Sequence, residues 1–68
     1  MNIVAKTPDT GAMITMHEIH APPSLEGFSS LSDERGMWYV CCETGTYLRS
    51  RYIAGRRVWW CGYYAEVK

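Results

Sequence analysis

From Met37 onward the chain reads "MWYVCC", "TYLRSRYIA" and "VWWCGYYAEV", three runs rich in β-branched and aromatic residues. Only short glycine-bearing connections separate them. Connections that short join antiparallel neighbours, so this half of the chain is predicted to be a three-stranded meander. Glu43-Thr44-Gly45 suits a three-residue hairpin loop closed by glycine in the left-handed region. Gly55-Arg56 suits a two-residue loop with glycine first.

Those loops set a register, and the two-residue period of a strand then sorts every side chain onto a face. With Gly55-Arg56 as the loop, Tyr52 faces Trp59, Arg51 faces Trp60 and Arg49 faces Gly62. With Glu43-Thr44-Gly45 as the loop, Val40 faces Leu48, Trp38 faces Ser50 and Tyr39 faces Arg49. One face then holds Trp38, Val40, Cys42, Leu48, Ser50, Tyr52, Trp59, Cys61, Tyr63, Ala65 and Val67. Free of charge within the strands, it is the expected core. The other holds Tyr39, Cys41, Tyr47, Arg49, Arg51, Trp60, Gly62 and Tyr64, a checkerboard of arginines and rings. Shortening or lengthening the first loop by one residue would exchange the faces of "MWYVCC" alone. Glu43 argues against it, because its carboxylate would then point inward.

The N-terminal half is less regular. "NIVAKT" and "AMITMHEIH" flank "PDTG", whose proline, aspartate and glycine suit a turn, so an N-terminal hairpin is expected. "APPSLEGFSSLSDERG" breaks the β pattern. Ser24 is placed to cap a short helix carrying Leu25, Phe28 and Leu31 at a spacing of three, limited to one or two turns by Gly27. The expected fold class is α+β, mostly antiparallel β: an N-terminal hairpin, a short helix and a C-terminal three-stranded meander. The hairpin and the helix would cover the inner face.

A chain of 68 residues is one small domain near the lower limit for folding without staples. Its 47% hydrophobic content excludes disorder as the default, and three tryptophans and five tyrosines offset the small size. No apolar run is long enough to span a bilayer, and "MNIVAKTPDTGAMITM" has no charged region followed by an apolar stretch and cleavage site. With an odd count of three cysteines, a cytoplasmic protein with reduced thiols is the expectation. The zero net charge conceals an asymmetry. Residues 1–46 carry six acids against two bases, net −4, and residues 47–68 carry five bases against one acid, net +4.

Chemistry-bearing residues are few. "HEIH" with Cys41, Cys42 and Cys61 invites a zinc reading, but His17 and His20 face opposite sides of a strand and no paired C-x-x-C is present. No metal or other cofactor is therefore expected. A thiolate at Cys41, its pKa lowered by Arg49, is the most direct enzymatic idea. A chain this short has little room for a pocket and an oxyanion site beside it, so no catalytic residues and no enzymatic activity are expected.

The checkerboard is the candidate contact surface: Tyr39, Tyr47, Arg49, Arg51, Trp60 and Tyr64. Tyr, Trp and Arg are the residues that protein interfaces concentrate at their energetic centres. The same mixture stacks single-stranded bases and holds phosphates. A third reading is structural, with the face buried beneath the N-terminal segment. The functional expectation is a non-enzymatic binding module with a protein partner, a second copy of the chain included. Single-stranded nucleic acid is the alternative, and no membrane is involved. By analogy of size, it is the type of accessory or inhibitor protein that phages and mobile elements encode.

Overall fold

The computed structural model describes residues 1–20 and 24–63. Tyr64, Ala65 and Val67, assigned to sheet faces above, lie outside the described residues. Six strands form one antiparallel sheet: β1 (Asn2–Lys6), β2 (Met13–Ile19), β3 (Phe28–Asp33), β4 (Gly36–Cys41), β5 (Thr46–Ile53) and β6 (Arg56–Tyr63). Their spatial order is β1-β2-β6-β5-β4-β3. The N-terminal hairpin and the three-stranded meander are present as expected, joined into a single sheet by the pairing of β2 with β6.

The described residues contain no helix, so the fold is all-β and the α+β expectation is corrected. The segment expected to be helical is the edge strand β3, paired along its length with β4 from Phe28–Cys41 to Asp33–Gly36. Ser24 caps no helix. Its hydroxyl accepts from the Glu26 amide at 3.3 Å, and Gly27, at φ +85°, turns the chain into β3. One or two isolated helical turns carry the full nucleation cost with few hydrogen bonds in return. The free edge of β4 offers a complete ladder instead.

The sheet is not flat. The β2–β6 ladder runs only from Met16–Gly62 to Ile19–Trp59, while Met13–Thr15 pair with β1 alone. At that point the β1–β2 hairpin leaves the plane and folds across the inner face. Its turn reaches β5, where the Tyr47 hydroxyl donates to the Asp9 carboxylate at 2.7 and 2.9 Å. Gly62 permits the close approach, since a Cβ there would stand 2.8 Å from both Met16 Cγ and the Thr15 carbonyl. The core thus lies between the hairpin and β4–β6. It consists of Ala5, Ile14, Met16, Trp38, Tyr47 and Trp60, flanked by Ile3, Leu31, Val40 and Val58.

This core is on the face expected to be exposed. Two loops explain the difference. The β5–β6 loop is Ala54-Gly55, with φ of 53° and 77°, in place of Gly55-Arg56. Both central residues are left-handed, as in the primed turn that matches strand twist. The slip moves each partner by two residues, so Arg49 faces Trp60 and Ser50 faces Trp59, and the faces of β5 and β6 relative to each other are kept. The β4–β5 register differs by one: Val40 faces Tyr47 and Trp38 faces Arg49. Trp38 and Val40 therefore join Tyr47, Arg49 and Trp60, while Tyr39 and Cys41 go to the other side. Glu43 lies exposed in the turn, so its charge has no bearing on which face is buried.

Candidate functional site

The six residues expected to form one contact surface are divided by the fold. Tyr47, Arg49 and Trp60 are buried, and Arg51 is exposed on the same inner side near the β5–β6 turn. Tyr39 is half-buried on the outer face, and Tyr64 lies outside the described residues. The checkerboard is therefore mostly core, covered by the N-terminal hairpin.

A row of cross-strand neighbours runs Leu31, Trp38, Arg49, Trp60, Glu18 across the inner face. Arg49 is only 6% exposed, and its guanidinium carbon lies 4.9 Å from the centre of the Trp38 ring. Its Nη2 donates to the Arg35 carbonyl at 3.1 Å. Asp33 stands close by, with Oδ1 accepting from the Arg35 amide at 2.8 Å and Oδ2 from the Trp38 indole at 2.7 Å. Burial pushes the Arg49 pKa down from its ordinary value, and the Asp33 charge opposes that shift. At Asp33 burial works upward, but the Arg35 amide, the Trp38 indole and Arg49 together hold the pKa below the usual range.

The opposite, outer face carries a second arginine–aromatic group, of which Tyr52, Trp59 and Tyr63 were expected in the core. Tyr52 is 67% exposed and Tyr63 64% exposed, while Trp59 and Tyr39 are half-buried. Trp59 and Tyr39 meet at 5.8 Å between ring centres, above β5. Beneath them Leu48 is fully buried, because it sits between Tyr39 and Cys61 with the larger rings leaning over it. The Arg57 guanidinium lies 4.7 Å from the Tyr52 ring centre and 5.8 Å from that of Trp59. It donates from Nη1 to the Ser50 hydroxyl at 2.8 Å and from Nη2 to the Tyr52 hydroxyl at 3.2 Å. The hydrogen bond it donates to the Tyr52 hydroxyl raises its pKa further, so the cation is permanent. Arg57, Tyr52 and Trp59 were all visible in the sequence at β spacing. What hid them was the rule that a face with more charge is the outer one.

The three cysteines are free. The Thr44 hydroxyl, not Arg49, holds the Cys41 thiol below its usual pKa, and burial pushes that of Cys61 up. His17 faces Cys61 across β2 and β6. Among the described residues no group of three His, Cys, Asp or Glu side chains gathers to hold a metal ion. No helix among them is long and apolar enough to cross a membrane.

Comparison with known proteins adds no constraint. No family model, curated protein or solved structure matches this chain.

Proposed function

We propose that this chain is a non-enzymatic binding module that contacts a protein partner through the outer face of β4–β6. The observation that carries this reading is Arg57, held over the Tyr52 and Trp59 rings on a face that no other described strand covers. Tyr39 on Trp59 extends the cluster, and Met37 adds exposed apolar area on the same face. Rings fixed by stacking and a guanidinium fixed by two hydrogen bonds lose little freedom when a partner covers them. Desolvation by that partner strengthens the cation–π contacts as well. The partner is a protein, a second copy of the chain being one form of it. The small size suits an accessory or inhibitor protein of the kind phages encode, and three unpaired thiols support a cytoplasmic location.

One observation favours single-stranded nucleic acid as a second reading. Arg57 stands among the exposed rings, and Arg51 and Arg56 lie at the same end of the sheet on its other face, so phosphates of a strand passing over that end would meet cations next to a place for bases. Zero net charge weighs against it, since non-specific nucleic-acid affinity grows with positive charge.

Affinity capture from cell lysate with and without nuclease tests the proposal. The expected result is a protein retained after nuclease and lost with Trp59→Ala or Arg57→Ala, while Arg51→Ala still captures it. Capture abolished by nuclease would replace this reading with the second. In that case affinity for a single-stranded oligonucleotide should fall with a log–log salt slope of about −2, for three phosphate contacts.

A further inference from the structure

Arg49 is the incomplete part of the core. Its Nε is buried without a hydrogen-bond partner, and no described residue accepts from its Nη1. A buried guanidinium with unmet donors is costly unless another group completes it. Nε itself is closed off, whereas Nη1 is not among the buried unpartnered atoms and is the donor a ligand can meet. Arg49 floors a pocket at the seam where the folded-over hairpin meets the β3–β4 turn, between Lys6, Thr7, Pro8 and Gly11 on one side and Asp33, Glu34 and Arg35 on the other.

The charges around that pocket are Lys6, Arg35 and Arg49 against Asp33 and Glu34, which leaves one positive charge unbalanced. Asp33 is already counted in that balance, and its two oxygens accept from the Arg35 amide and the Trp38 indole rather than from the guanidinium. A single monoanionic group restores neutrality. A phosphate monoester, at about −1.5 to −2, would overshoot. A carboxylate carries one charge and matches the planar guanidinium fork.

The geometry points to a carboxylate-binding site at this seam, with Arg49 as the floor and Arg35 and Lys6 as flanking cations. The ligand is a carboxylate presented by another molecule, either a chain terminus or an acidic side chain. The site lies on the opposite side of the sheet from the Arg57 cluster and does not depend on that cluster binding anything.

The test is an NMR titration that follows the Arg49 Nε–H signal at constant ionic strength. Three probes are compared: a capped diglycine with a free C-terminal carboxylate, the same peptide amidated, and inorganic phosphate. The expected result is a saturable shift with the acid, no shift with the amide, and weaker binding of phosphate than of the acid. Arg49→Lys keeps the charge but loses the fork, and should weaken the acid about tenfold, as should the exposed Arg35→Ala. Should Arg49→Lys fail to fold, Arg35→Ala decides. Equal shifts with acid and amide, tighter binding of phosphate than of acid, or unchanged affinity in Arg35→Ala would overturn the assignment.

Discussion

Arg49 and Arg57 are built from the same parts on opposite faces of the same two strands, and their circumstances are opposite. Arg49 stacks on Trp38, faces Trp60 and is shut in by the β1–β2 hairpin. Arg57 stacks on Tyr52 and Trp59 and stays in contact with water. Burial depresses one guanidinium, whereas a tyrosine hydroxyl raises the other. Composition therefore did not decide which face became core. The hairpin decided it, by folding toward the side where Ala5, Ile14 and Met16 could meet Trp38, Tyr47 and Trp60. An arginine inside a small core is tolerable because its long stem is apolar and its planar head stacks on indole.

The largest test of this contrast is the tryptophan doublet. Trp60→Ala deletes a buried ring and should cost about 3–5 kcal/mol, enough to unfold a domain of this size. Trp59→Ala should cost well under half as much by denaturant titration. A reversed order would mean that the faces are exchanged.

A smaller effect sharpens how the hairpin is held over the inner face. Tyr47→Phe removes the hydroxyl that bonds Asp9 and should cost about 1 kcal/mol at neutral pH, since water can still solvate the exposed carboxylate. The Tyr47 bond is the main reason the Asp9 pKa lies below its ordinary 3.8. A depressed carboxylate stabilises the fold above its ordinary pKa and loses that contribution as pH falls through the lower folded value. Acid titration of stability should therefore bring the wild-type and Tyr47→Phe curves together below pH 3.8. Curves that stay parallel would show that Asp9 does not anchor the turn.

The smallest expected effect has the opposite sign. Ala54 sits at φ 53°, a region that costs an ordinary side chain. Ala54→Asn should make an Asn-Gly primed turn and stabilise by about 0.5–1 kcal/mol, read as a rise in the denaturation midpoint. Destabilisation would place the turn elsewhere and shift the register of β5 on β6.

Much of this fold was legible because β patterning is local. The "PDTG" turn, the meander and the split of Trp59 from Trp60 onto different faces all followed from alternation and loop signals. Three features were not. β3 reads weakly because "FSSLSD" is serine-rich and its strand character comes from the edge of β4 rather than from its own propensity. The Ala54-Gly55 turn is not legible locally because alanine at positive φ is disfavoured, and the strands on either side outweigh that local cost. The choice of buried face depended on where a hairpin some forty residues upstream would fold, which no short window encodes. Of the described candidate contact residues, Tyr39 alone stands on the outer face with Arg57, Tyr52 and Trp59. Charge on a strand usually means exposure, and Arg49 is the exception that inverts the rest.

Hydrogen exchange at the three indole Nε1–H groups tests the central claim most directly, because it reports each face without mutation. The fold predicts protection at Trp60, which is 3% exposed with its Nε1 buried, and at Trp38, whose Nε1 donates to Asp33 at 2.7 Å. Trp59, half-buried on the outer face, should exchange at the rate of free indole or close to it. Protection at Trp59 with rapid exchange at Trp60 would contradict the account, and would return the arginine–aromatic checkerboard to the surface.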